Sequence, residues 1–233
     1  LILQYLYFSY WNPMSGEENP VLAVSEDKSI AVLPFENLSS NEENEYFSDG
    51  LTEDIITQLS KINSLRVISR TSVLQYKETP RPGKQIAQEL GITVVLEGSV
   101  RRIGDRIRIS GQLIDAINDR HLWTESYDRD IEDVFVVQSE IAQTIASTLE
   151  AQLTPSEKEN IEKQPTENIS AYDFYLKGRD YYYQYTDQAN EMAIDQFKKA
   201  IALDPDYALA WAGLGDAYSQ KNTLYGYEFT WND

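Results

Sequence analysis

The 233-residue sequence has no cysteine and a single histidine, His121. Without cysteine there is no disulfide, no thiolate nucleophile and no cysteine-based zinc site, and one histidine rules out any two-histidine metal motif. Basic residues are scarce, with 20 Lys plus Arg against 38 Asp plus Glu, for a formal charge of -18. A surface this acidic repels nucleic-acid phosphates and anionic headgroups, so non-specific nucleic-acid binding is disfavoured. Hydrophobic residues make up 42% and charged residues 25%, which is ordinary globular composition. The length suits one or two cores, and two are expected.

Residues 1–11, LILQYLYFSYW, are apolar and aromatic, and no charge precedes Glu17. Crossing a bilayer takes roughly 20 apolar residues, yet Tyr5, Tyr7, Tyr10 and Trp11 suit the interfacial belt where a helix leaves the membrane. This segment reads as the end of a transmembrane helix; the other reading is a buried strand or an amphipathic segment. Residues 12–27 carry Pro13, Gly16 and Pro20 among acidic residues, which is linker composition. No Lys or Arg precedes Lys28. That scarcity favours a translocated side, so the expectation is a membrane-anchored protein with a periplasmic soluble part.

Residues 28–153 alternate in character. Lys28–Phe35 reads as a buried strand stopped by Pro34, and an acidic, Asn-rich loop follows it. Phe47, Leu51, Ile55, Leu59 and Ile62 lie on one helical face. Leu65–Ser69 suits a second strand, and Lys84–Leu90 a helix ended by Gly91. From Ile92 to Tyr127, tight turns at Gly104-Asp105 and Asn118-Asp119 separate three strands expected to pair antiparallel. In the middle strand Ile107, Ile109 and Leu113 face the core, with Arg106, Arg108 and Gln112 on the wet side. Val134, Gln138, Ile141, Ile145 and Leu149 form the stripe of a helix over 131–153 that should close the apolar sheet face.

The segments SIAVLPFENLSS (29–40), YFSDGLTEDIITQLSKI (46–62), LRVISRTSV (65–73), IAQELG (86–91), VLEGSVRRIGDRIRISGQLIDA (95–116) and HLWTESYDRD (121–130) together resemble the TolB amino-terminal-like domain. The resemblance implies a compact mixed α/β sheet with helices and a non-enzymatic role, which for TolB itself means contacting envelope partners in the periplasm. No β-propeller sequence follows, so TolB's transport role does not carry over.

Residues 154–169, with Pro165 and many polar side chains, read as a hinge. From 170 to 233, Gly178, Tyr181, Ala193, Phe197, Ala200 and Pro205, then Trp211, Leu214, Gly215 and Tyr218, resemble the 34-residue tetratricopeptide (TPR) repeat. The fold class expected is thus α/β followed by an all-α TPR segment of about one and a half repeats, with further repeats after Asp233. The first repeat departs from the pattern: Phe174 stands for the usual Trp, Lys177 for the usual Leu, and about three extra residues fall before Ala193. TPR arrays present the first helix of each repeat to a concave groove. The resemblance assigns that face to Tyr172, Tyr175, Arg179, Tyr182 and Tyr183, residue types that anchor interfaces. The competing reading packs this face against the first domain.

Arg101, Arg102, Arg106 and Arg108 form a basic cluster on a hairpin, able to receive an acidic partner or to pair with local carboxylates. Pro80-Arg-Pro-Gly-Lys84 lacks the residues of a phosphate loop and reads as a turn opening a helix. Glu42, Glu43, Glu45, Asp49, Glu53 and Asp54 fit no calcium loop. No nucleophile pairs with His121, which reads as a satisfied strand residue. No catalytic residue, metal or cofactor is therefore expected. The overall expectation is a protein-interaction and sensory region of a membrane-anchored bacterial signalling protein, with a protein or peptide ligand. The alternatives are an envelope transport or assembly scaffold, and the regulatory part of a nucleotidyl cyclase, kinase or winged-helix regulator.

Overall fold

The computed structural model describes residues 28–40 and 44–225. The expected membrane segment 1–11, the linker 12–27 and residues 226–233 lie outside them. Strand β1 (Ser29–Val32) is buried at all four positions and stops before Pro34, which cannot donate to a ladder. A two-residue strand, β2 (Glu36–Asn37), follows inside the expected loop. Helix α1 (Glu45–Ser60) buries Phe47, Leu51, Ile55 and Leu59, the stripe set by their spacing. After β3 (Arg66–Val67) come two single-turn helices, α2 (Arg70–Val73) and α3 (Gln75–Glu78), too short to show a sequence period. Helix α4 (Gly83–Leu90) ends on Gly91 at φ +61°, the left-handed backbone that glycine adopts without strain.

Strands β4 (Val94–Ile103), β5 (Arg106–Asp115) and β6 (Arg120–Asp130) are the expected meander. The sheet order is β3-β1-β4-β5-β6, with β2 also pairing with β4. β1 runs parallel to β3 and β4, and the β4-β5-β6 pairs are antiparallel. Ile107, Ile109 and Leu113 point into the core, while Arg106 and Arg108 are exposed. Past a 3-10 turn at Ile131–Asp133, α5 (Val134–Thr148) buries Val134, Val137, Gln138, Ile141 and Ile145, joining the core shared by sheet and α1. This helix is shorter than the 131–153 expected, because the chain turns at Glu150, φ +53°.

The expected hinge at 154–169 holds a docked helix, α6 (Pro155–Glu162). Thr154 and Glu157 close a reciprocal capping box with proline at the start, and Ile161 is fully buried. Glu157 also accepts from the Asn63 amide at 2.8 Å, fixing α6 to the end of α1.

Three further helices follow among the described residues: α7 (Ile169–Tyr182), α8 (Asp187–Leu203) and α9 (Ala208–Tyr225). Asn168 and Thr186 cap the first two with their side chains. Phe197 on α8 lies between Gly178 on α7 and Gly213 on α9; a Cβ at either glycine would meet its ring at 2.7 and 2.6 Å. The small residues are what let three helices close around one aromatic ring. Among the described residues no helix is long and apolar enough to cross a membrane.

Candidate functional site

Helix α7 packs along α1, and this seam gathers most of the residues expected to line a groove. Tyr172, Leu176, Arg179 and Tyr183 recur at four, three and four positions, a single face of a 3.6-residue helix. Opposite them, Gly50 gives α1 a flat spot: a Cβ there would stand 2.8 Å from Leu176. The guanidinium of Arg179 crosses at this point, donating to the Gly50 carbonyl at 2.8 Å and to Asp54 at 3.0 Å, with Glu53 at 3.5 Å. Tyr172 donates to the other Asp54 oxygen at 2.5 Å, and the buried Gln138 amide donates to that oxygen and to the Tyr172 hydroxyl. The Tyr172 ring packs edge-on against Phe135, centroids 4.7 Å apart.

Two flanking clusters extend the seam. At one end Arg102 donates to Asp173 at 2.6 Å and to the Tyr46 hydroxyl at 3.2 Å, while Lys177 pairs with Asp173 at 2.8 Å. At the other, Tyr183 donates to Glu53 at 3.0 Å, and the Arg70 guanidinium lies 4.0 Å over the Tyr183 ring. Burial alone would raise the Asp173 carboxyl, but hydrogen bonds from Lys177, Tyr46 and Arg102 outweigh it and hold it below the usual range. Burial would likewise lower Arg179, yet Asp54, Tyr175 and Glu53 keep it well above its ordinary value. Burial and then Asp54 push the Tyr172 hydroxyl well up, so it stays protonated and donating.

The residues expected to bind a partner are therefore placed as follows. Tyr172, Arg179 and Tyr183 bond to α1, and Tyr175 is buried against Phe197 and Tyr207. The first domain covers Tyr172, Arg179 and Tyr183, and the neighbouring repeat helices cover Tyr175. Tyr182 is half-buried beside the exposed Tyr185. Arg102 belongs to the seam, whereas Arg106 and Arg108 pair with Asp128 at 2.7 and 2.6 Å on the wet sheet face, and Arg101 donates to the Leu38 carbonyl. Glu45 and Asp49 pair with Lys77, and Glu53 with Arg70, so these acids serve local ion pairs. His121 is exposed at the start of β6, not enclosed.

Sequence reasoning weighed Asp54 only as a cation ligand and Gln138 only as part of a helix stripe; that both are polar residues on apolar-striped helices is the signal that could have marked their role in the seam. On α9 the positions matching Tyr172, Tyr175 and Arg179 of the first repeat are Leu209, Ala212 and Asp216, all exposed, as is Trp211, whereas Gln220, at the position of Tyr183, is buried.

The fold and the seam together define an α/β domain packed through α1 and α7 onto a helical-repeat segment. Residues 26–144 match the family described as HilA/YgeH-like transcriptional regulator, second domain, and the chain belongs to that family. Residues 185–222 match the TPR repeat. A Rhizobium meliloti (strain 1021) protein named "Putative adenylate cyclase 3" is 40% identical over 211 residues, 88% of this chain. The chain spans 36% of that relative's length. Among solved structures, TolB from Acinetobacter baumannii is 18% identical, with TM-score 0.39, over 52% of this chain and 28% of that one. Lipoprotein GNA1162 from Neisseria meningitidis is 20% identical, with TM-score 0.40, over 51% of this chain and 96% of its own. The fold class rests on the sheet and helices themselves.

Proposed function

We propose that this chain is a non-catalytic interaction and sensory region of a bacterial signalling protein, presenting α9 and the end of α7 to a protein or peptide partner. The observation that carries the reading is the seam. By burying the first repeat's groove face on α1, it makes the α/β domain and the repeats one body, with Leu209, Ala212, Asp216 and Tyr182 on its open side. An event at one domain is then felt at the other. Membrane anchoring through residues 1–11 and a periplasmic position belong to this proposal. A second reading, the regulatory part of a cyclase or transcription regulator, is favoured by the relative's name and by the family's description.

A photo-crosslinking residue at Leu209 or Asp216 should capture a partner in cells, and Tyr182→Ala should reduce the yield. The same probe at Ser110, on the wet sheet face, should capture none. Equal capture at all three positions would remove α9 as the partner surface.

A further inference from the structure

Strand β6 lies at the edge of the sheet and is paired with β5 on one side only. On its outer side it makes no backbone bond to another segment among the described residues. Such an edge is a template for a further strand, and natural edges are kept single by proline, short length or charge. β6 runs for 11 residues without proline, so its charges decide what can pair with it. Its bulge falls before Trp123, and the strand is regular from there to Asp130.

Glu125, Tyr127 and Arg129 stand opposite Gly111, Ile109 and Ile107, on the side of the sheet that the helices cover. Thr124, Ser126, Asp128 and Asp130 stand opposite Gln112, Ser110, Arg108 and Arg106, on the wet side. Asp128 and Asp130 are neutralised by Arg106 and Arg108 of the neighbouring strand. Glu125 and Arg129 have no ion pair among the described residues. Glu125 accepts only from neutral donors, Trp123 at 3.3 Å and Tyr127 at 3.1 Å, and Arg129 donates to the Asp128 carbonyl at 3.2 Å. Both are exposed. Four residues apart on one face of a strand, they are separated by about 13 Å and cannot pair with each other.

We infer that β6 pairs antiparallel with β6 of a second copy of this chain, about a two-fold axis normal to the sheet and centred on Tyr127. Around that centre Glu125 of each copy faces Arg129 of the other, so one symmetry operation makes two opposite-charge pairs. On the wet side Ser126 faces Asp128 and Thr124 faces Asp130, hydroxyl donors against carboxylates. Neighbouring registers lack this match: centring on Glu125 sets glutamate against glutamate, centring on Asp128 sets aspartate against aspartate, and centring on Ser126 brings no opposite charges face to face. A strand of unrelated sequence would leave Glu125 and Arg129 without counter-charges, which is why the occupant is a second copy. The net charge of -18 on each copy opposes approach, but beyond about 8 Å it is screened at physiological salt, whereas the facing pairs are in contact. The inference goes beyond the partner-binding reading and does not depend on it.

The test is sedimentation velocity of the full chain at about 150 mM salt, where a concentration-dependent monomer–dimer equilibrium is expected. Glu125→Arg and Arg129→Glu each set like charges face to face twice, and each should weaken the dimer by at least about 10-fold. Both side chains are exposed, so circular dichroism of each variant should match that of the parent. Mixed one to one, the two variants should dimerise as strongly as the parent, because the arginines of one copy then meet the glutamates of the other at both positions. A parent chain that stays monomeric up to about 1 mM, dimerisation unchanged in both single variants, or a mixture no stronger than either variant alone would overturn the proposal.

Discussion

Arg179 and Asp54 are each largely buried, with side chains 11% and 16% exposed, and each is the other's main counter-charge. Removing one member of such a pair strands the other's charge, which costs about 3–5 kcal/mol, far more than a surface pair is worth. Arg179→Met should therefore lower the urea midpoint strongly, and adding Asp54→Asn should restore much of it; equal loss in single and double variants would contradict the pairing. Glu157 gives a pH-dependent counterpart. Backbone amides of Asn63 and Thr154 and the Thr154 hydroxyl hold its carboxyl down, from the ordinary 4.5 to about 2. A depressed folded pKa means stability that is fully present above the unfolded value and lost as pH falls from about 4.5 toward 2. Hydrogen exchange at the Asn63 amide should accelerate across that window, and Glu157→Gln should flatten the dependence. These partners were hard to read from sequence: periodicity says which residues of α7 share a face, but not that an aspartate 125 positions earlier covers it.

At the scale of elements, packing around Phe197 is tight on two sides at once. Alanine is about 1 kcal/mol better than glycine within a helix, but here its Cβ would lie 2.7 Å from a ring with no room to retreat toward Gly213. Overpacking of this kind costs about 1–3 kcal/mol and wins, so Gly178→Ala should lower thermal stability, whereas Gly215→Ala, which meets nothing within 4 Å, should not. Glu150 sits just past α5 at φ +53°, a backbone that suits glycine. Glu150→Gly should raise stability by a few tenths to about 1 kcal/mol in calorimetry, relief of the left-handed backbone outweighing the added freedom of the unfolded chain. The main strands and long helices were legible because their spacings repeat over many residues. Helix α6 was missed although Thr154, Pro155 and Glu157 spell its cap; prolines and charges suggested a hinge, and the single buried Ile161 left no stripe to count.

For the whole molecule, the seam couples two units that sequence alone separates. Urea unfolding followed at Trp123 in the sheet and at Trp211 in the repeats, in variants retaining one tryptophan each, should give coincident transitions. Arg102→Ala with Arg179→Met should split them, and a split already present in the parent protein would refute the coupling. The expectation of a partner groove on α7 came from counting positions along the repeat. The competing reading named the first domain as the neighbour, but counting could not supply its residues, since Gly50, Glu53 and Asp54 acquire meaning only once α1 and α7 cross. The placing of these bonds also has a mechanical result. Asp173, Arg179 and Tyr183 are spread over about 15 Å of α7 and are fastened to α1 through Tyr46, Gly50 and Glu53. A tug at right angles to α7 strains all three fastenings together, so the joint should hold until one sharp rupture force, not peel open in steps.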